Sequence, residues 1–463
     1  MSETLQTFLQ DSAKKVASKV HREKLAFNIQ QYDDTVVKGK GRYADLELAK
    51  KRAAHIKAKT IENLEKYLKE FEVNFTNNGG KLIWAPDADA AISSISKIVS
   101  HAEARMLVKG KSMTTEEIHL NAHMEEQGVE SIETDLGEYI VQLAEEPPYH
   151  IVTPAMHKSK EDVAELFHEK EGLPADSTPQ DITAHVRAVL RKKFTSADIG
   201  VTGGNFLVAD VGGVAITENE GNVLLTSSYP KIHIAIVGIE KMIPYMEDLD
   251  LFWSLLATHG TGQHMTVYNS LITGPRQEGE VDGPEEMYVV LLDNGRTNVL
   301  AQQQLRRALN CIRCGACLNG CPIYKSIGGH AYNTTYSGPI GSIITPHFRG
   351  MEQFQHLSSA SSLCGKCTEV CPVKIDLHKM LIHNRNLSVS SGNSGLLERL
   401  TMFLWKKGML KRKLMDGVNS GFKNTLLSVF FKKAWGEKRK LPTISSRSFN
   451  QLWKDKNGKG LGR

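Results

Sequence analysis

All seven cysteines of this chain sit in two short runs, and thiolates grouped that closely are equipped for metal–sulfur chemistry. The first run reads Cys311-Ile312-Arg313-Cys314-Gly315-Ala316-Cys317-Leu318-Asn319-Gly320-Cys321-Pro322, a C-x2-C-x2-C-x3-C-P spacing. The second reads Cys364-Gly365-Lys366-Cys367-Thr368-Glu369-Val370-Cys371-Pro372. Three thiolates at intervals of three residues on a tight loop reach three corners of one iron–sulfur cube. The fourth cysteine lies further along, and the proline after it helps turn the chain toward a second cluster.

That order of ligands resembles the one in bacterial two-cluster ferredoxins. Carried onto this chain, it assigns Cys311, Cys314, Cys317 and Cys371 to a first, 4Fe-4S cluster, and Cys321, Cys364 and Cys367 to a second. The remaining corner of the second cluster falls at position 361, which is Ser361. Two outcomes stay open there: a 3Fe-4S cluster, or a 4Fe-4S cluster with a hydroxyl, water or another side chain on the odd iron. Structural zinc fits poorly, because four-cysteine zinc sites come as two separated C-x2-C pairs and seven ligands do not divide into fours. A disulfide framework fits worse, since the cysteines are clumped in a long chain without an export signal.

The elements that must position these loops come next. With 463 residues, 41% of them hydrophobic, the chain is long enough for several domains with a proper core. The formal charge is only +5, yet the stretch from Leu396 onward holds 17 basic against 4 acidic residues, so the remainder is acidic. Residues Met1 to Leu25 lack the apolar core of a signal peptide, and no window approaches the ~20 apolar residues of a membrane span. The expectation is a cytoplasmic protein, with unpaired cysteines serving as ligands in a reducing compartment.

Four regions are expected. Residues 1–75 read as a helical arm whose role is packing, with Leu5, Phe8, Leu9 and Val16 near helical spacing. Residues 76–298 read as an α/β domain with a mostly parallel sheet covered on both faces. Its predicted strands are 81–85, 106–109, 129–133, 150–153, 199–208, 213–217, 232–237 and 287–292, and its predicted helices 88–102, 116–127, 160–171, 180–193 and 245–259. Residues 299–389 form the two-cluster segment, entered by a helix over 299–310. Its long insert, with Tyr332, Tyr336 and His347, is expected to wrap the clusters and limit water. His356 is assigned to packing rather than to iron. Residues 390–463 form a basic extension opened by a polar linker at 388–394. There Met402-Phe403-Leu404-Trp405-Lys406-Lys407 and Leu426 to Lys433 suit docking on an acidic partner, a membrane surface, or self-packing. No nucleic-acid recognition motif is present.

In parallel sheets, ligands bind beyond the carboxyl ends of the strands. Lys109 to Glu117 follows a strand there; Thr114 or Thr115 is expected to cap the next helix with Glu117 closing the box, and Lys111 is the alternative anion ligand. Glu133, Asp135 and Glu138 could chelate a cation or do acid–base work, but the ordinary reading is a solvated helix start. Arg276 and Arg296 are candidate carboxylate clamps, with surface ion pairing as the plainer fate. The turns at Thr202-Gly203-Gly204-Asn205 and Glu218-Asn219-Glu220-Gly221-Asn222 match neither a dinucleotide fingerprint nor a P-loop. No catalytic residue is assigned.

Taken together, Lys111-Ser112-Met113, Glu133 to Glu138, Glu220-Gly221-Asn222, Asp293-Asn294-Gly295-Arg296-Thr297 and the two cysteine runs resemble the bacterial lactate-utilisation protein B family over nearly the whole chain. The resemblance implies a lactate-utilisation (LUD) domain of the sugar-phosphate isomerase and CoA-transferase class, in three layers, joined to a helical ferredoxin-type domain. It implies electron transport during oxidation of L-lactate to pyruvate. It also implies two companion proteins, one cysteine-rich and heterodisulfide-reductase-like, the other a lone LUD domain. Two alternatives stand beside it: a self-sufficient lactate-oxidising enzyme, and a non-enzymatic iron–sulfur docking or regulatory protein.

Overall fold

The computed structural model describes residues 2–393, 395–436 and 439–458. The chain divides into two compact units, Met1–Ser388 and Val389–Arg463.

The first unit opens with helices Glu3–Ala17, Lys19–Lys40, Leu46–Glu62 and Leu64–Asn77. Ser2, Ser18 and Asp45 cap the first three by accepting a free backbone N–H of the first turn. Phe8, Leu25, Ile29 and Phe71 are buried in the same core as Leu318 and Tyr324 of the cysteine segment. The arm is therefore a packing element that clasps both later regions.

The α/β region contributes ten strands: β1 (Lys81–Ala85), β2 (Met106–Lys109), β3 (Glu130–Glu133), β4 (Ile199–Thr202), β5 (Phe206–Val208), β6 (Gly213–Glu218), β7 (Ile232–Gly238), β8 (Met242–Ile243), β9 (Tyr268–Ile272) and β10 (Glu286–Leu292). Six of them form a wholly parallel sheet in the order β1-β10-β7-β4-β2-β3. Its central strands are mainly apolar, as burial on both faces demands, with His233, Thr202 and Lys109 as buried polar exceptions. A second, mixed sheet has the order β8-β5-β6-β9.

Several expectations are corrected. The predicted strand 199–208 breaks at Gly203-Gly204, and its halves join different sheets. A Cβ on Gly203 would stand 2.6 Å from Ser112 Oγ, and one on Gly204 2.8 Å from Val237, so only glycine lets the chain cross here. Residues 150–153 form a turn instead of a strand, because His150 Nδ1 accepts the backbone N–H groups of Val152 and Thr153 at 3.1 and 3.3 Å. The helix predicted over 116–127 is two, Met113–Glu117 and Leu120–Glu126, parted by His119 in a left-handed conformation. The entry helix over 299–310 is likewise a short helix, Arg296–Leu300, and a 3-10 turn, Arg306–Asn310. Strands β8 and β9 were not expected.

The second unit holds helices Leu396–Met409, Arg412–Gly417, Ser420–Leu426, Lys432–Trp435 and Phe449–Gly458. The expected linker 388–394 begins inside the helix Leu377–Ser390, and Ser394 lies outside the described residues. Phe403, Trp405 and Phe430 are exposed. Among the described residues no helix is long and apolar enough to cross a membrane.

Candidate functional site

The two cysteine loops are built alike. Each has a left-handed glycine directly after a cysteine, Gly315 after Cys314 (φ 78°) and Gly365 after Cys364 (φ 81°), followed by a one-turn helix, Ala316–Asn319 or Lys366–Glu369. Each also has a left-handed residue just before the first shared cysteine, Arg313 and Leu363. The N–H of Arg313 donates to Cys311 Sγ at 3.4 Å, and the N–H of Leu363 donates to Ser361 Oγ at 3.1 Å. Ser361 therefore holds the position of Cys311 in a second copy of one loop, with its carbonyl fastened by Arg385 at 3.1 Å.

Cys311, Cys314, Cys317 and Cys371 line one small apolar cavity together with Ile151, Ile340 and Pro372. Burial raises the Cys317 thiol well above its ordinary value, and Cys311, Cys314 and Cys371 around it add to the rise. Burial likewise pushes Cys371 up to about 11. Cys314, Cys317 and Cys371, desolvated in an apolar cage, resist ionising on their own, and a bound cationic cluster core would reverse that. The cage also offers amide donors to sulfur, such as the N–H of Ile375 at 3.4 Å from Cys371 Sγ. Soft donors, amide groups aimed at them and an apolar wall fit an iron–sulfur group.

Cys321, Cys364 and Cys367 make the second gathering. Burial pushes Cys367 up to about 11, with Cys321 and Cys364 near enough to contribute. Cys364 is exposed, so this gathering reaches the surface. His356 packs its ring against Phe8 and Phe354, with centroids at 5.2 and 6.3 Å.

Beside the first cage lies a cavity of about 500 Å³ whose wall includes Lys111, Asp135, Lys241, Arg313, Cys314 and Tyr336. Lys111 is spent within the chain, on Asp135 at 3.3 Å and the Val152 carbonyl at 3.0 Å. The cap of the following helix is Ser112, which accepts the Thr115 N–H, and neither Thr114 nor Thr115 fills that place. Glu117 is drawn off elsewhere. Its carboxylate takes a two-pronged bond from Arg296 at 2.9 and 2.8 Å, while Arg296 Nε reaches Glu240 at 2.5 Å. Arg296, fully buried, is thus a clamp on the protein's own carboxylates. Burial alone would raise Glu240, but Arg296, Arg313 and Lys241 hold it down at about 2. The Arg276 side chain makes a solvent-facing ion pair with Glu285 at 3.6 Å.

The carboxylates 133–138 are not a solvated helix start. Glu133, Asp135 and Glu138 are buried. Lys109, also buried, ends β2 among them and lies 2.7 Å from Glu133 and 3.0 Å from Glu116. An internal ammonium fills the place suggested for a cation. Burial, and then Glu133, raise Glu138 well above the usual carboxylate range. At Glu218-Asn219-Glu220-Gly221-Asn222 the Glu218 carboxylate accepts the N–H groups of Val223 and Leu224 at 2.7 and 2.9 Å, so the next helix start is satisfied from within.

Lys241 escaped the sequence reading. It follows the carboxyl end of β7, a place where parallel sheets bind ligands, and that was the available signal. Burial and then the like charge of Arg313 lower its pKa to about 8. Lys57 was missed too; it donates to the carbonyls of Glu240 and Met242 at 2.6 and 2.9 Å.

Comparison with known proteins bears on both regions. The LUD domain model matches residues 68–292, and the 4Fe-4S dicluster domain model matches residues 307–375. Lactate utilization protein B of Bacillus velezensis is 44% identical over 352 residues, 76% of this chain and 74% of that protein. The protein of that name from Anoxybacillus flavithermus is 40% identical over 414 residues, 87% of each chain. Its counterpart in Bacillus subtilis strain 168 is 44% identical over 349 residues, 75% of this chain and 73% of that one. The crystal structure of a DUF162 family protein from Deinococcus radiodurans is 14% identical and covers 50% of this chain and 98% of its own, with a TM-score of 0.29. With a LUD domain followed by a dicluster domain, and relatives matched over most of both chains, this chain belongs to the lactate utilization protein B family.

Proposed function

We propose that this chain is an iron–sulfur electron carrier in the oxidation of L-lactate to pyruvate, acting with companion proteins. The observation that supports it most is the pairing of two cysteine gatherings, one walled beside the α/β cavity and one reaching the surface at Cys364. Cys311, Cys314, Cys317 and Cys371 would hold a 4Fe-4S cluster; Cys321, Cys364 and Cys367 would hold the second, with Ser361 Oγ as its fourth donor. Such clusters supply one-electron steps when bound. The chain's own part is to keep water from the first cage with Ile151 and Ile340, and to aim amide N–H groups at the sulfurs, which sets the potential. The names of the relatives support lactate as the reductant. The family resemblance supports a cysteine-rich partner and a lone LUD-domain partner in the cytoplasm. The basic second unit would dock on an acidic face of such a partner or on the inner membrane surface.

A second reading, lactate oxidation by this chain alone, draws on the presence of Cys314 in the wall of the large cavity. A third is a docking or regulatory protein without turnover. Anaerobically reconstituted full-length protein separates them. Bleaching of the cluster absorbance by lactate only with companions supports the carrier. Bleaching without them replaces it by the second reading, and no bleaching in either mixture leaves the third.

A further inference from the structure

The large cavity has one wall whose charges are already matched and one whose charges are not. On the matched side, Lys111 faces Asp135, and Glu218 is held by two backbone N–H groups. On the other side stand Lys241 and Arg313. Lys241 is 8% exposed and engages no hydrogen-bond or ion-pair partner among the described residues. Arg313 is partly buried, its side chain 9% exposed, and its Nη1 is without a partner among the described residues. Its Nη2 lies 3.4 Å from Glu240, a carboxylate already gripped by Arg296, and its guanidinium rests 4.4 Å above the Tyr336 ring. Cationic donors taken out of water are costly to leave unsatisfied, so an unpartnered ammonium and a guanidinium with one free nitrogen in one cavity lining suit an anion.

We infer that Lys241 and Arg313 form the binding site for the carboxylate of a small 2-hydroxy or 2-oxo acid, placed against Cys314. The inference rests on the proposed function for the choice of acid. A guanidinium edge beside an ammonium matches the two oxygens of one carboxylate. Arg313 borders both the cysteine cage and the large cavity, whereas Lys241 borders only the cavity. The rest of the lining would surround the remainder of the acid, since about 500 Å³ is ample for three carbons.

The competing role for Lys241 is to balance the charge of the neighbouring thiolates. Charge balance predicts a changed cluster potential on substitution and no change in acid binding. The test uses anaerobically reconstituted full-length protein and L-lactate. Calorimetry should show lactate binding to the wild type, weakened about tenfold or more in Lys241→Met and largely retained in Lys241→Arg, with iron content equal in all three. Lactate labelled with carbon-13 at the carboxylate should show hyperfine coupling to the reduced cluster in pulsed EPR. Arg276→Ala, on a distant surface pair, should bind as wild type does. Lys241→Met binding lactate at wild-type strength, or the absence of carbon-13 coupling, would overturn the inference. Should Lys241→Met fail to fold, the coupling measurement on the wild type decides alone. Calorimetry needs neither companions nor turnover, so failure of the electron-carrier reading leaves this result readable. Conversely, clusters that bleach with companions while this chain binds no lactate would sink this inference alone.

Discussion

The two cysteine loops share a backbone and differ in surroundings. Around the first, the cage is closed by apolar residues, and Arg313 links it to a buried ion network. Around the second, Leu363 stands where Arg313 does, Ser361 where Cys311 does, and Cys364 is exposed. A cluster in the first cage would face the α/β cavity and sit in a low-dielectric setting beside Arg313. One in the second would face outward, where a partner protein can approach. One local design would thus serve two ends of the proposed electron path because its tertiary neighbours differ.

Removing one ligand from each cage is the strongest way to break this comparison. Cys317→Ser should cost about half the iron per chain and lower the melting temperature markedly, since cluster binding is also folding energy. Iron analysis with circular dichroism checks it, and full iron retention would refute the assignment. Cys364→Ser, at the exposed edge, should lose the second cluster with a smaller effect on melting.

Next in size is the network that only the first loop touches. Glu240→Gln leaves Arg296 and Arg313 short of a counter-charge in the interior and should destabilise the fold by about 3–5 kcal/mol in chemical denaturation. Its pH signature has a definite sign. Glu240 lies at about 2 in the folded chain against 4.5 for the free side chain. Its stabilisation is therefore present above pH 4.5 and is lost as pH falls toward 2, and the variant should flatten that slope.

Ser361 sharpens the comparison with less effect on stability. Ser361→Ala should give an oxidised three-iron EPR signal, and Ser361→Cys should restore a four-cysteine set and shift the second potential, each moving stability by about 1 kcal/mol or less. An unchanged spectrum in Ser361→Ala means that the hydroxyl is no ligand. The smallest effect belongs to Arg276→Ala, expected within about 0.5 kcal/mol because the pair it breaks is solvated.

Much of this was legible in the residues themselves. Cysteine spacing singled out the two loops because cluster ligation depends on short-range intervals along the chain. Central strands such as β10 stood out because strands buried on both faces are mainly apolar runs. Reading stopped where a residue's role is set by what crosses over it. Gly203-Gly204 parts two strands because Ser112 and Val237 press on them from elsewhere in the chain. Arg296 looked like a clamp for a foreign carboxylate, and it is one for Glu117 and Glu240. Glu133 and Glu138 looked solvated because Lys109, their counter-ion, sits at the end of a neighbouring strand.

By itself the sequence determined the family, the two cysteine loops and the parallel sheet, because spacing and hydropathy act between residues close along the chain. Only the tertiary structure decided which charges are spent inside the protein and which face the cavity. Ion pairing in a low-dielectric interior depends on distances of a few ångströms between residues such as Glu240 and Arg313, which lie far apart in the chain.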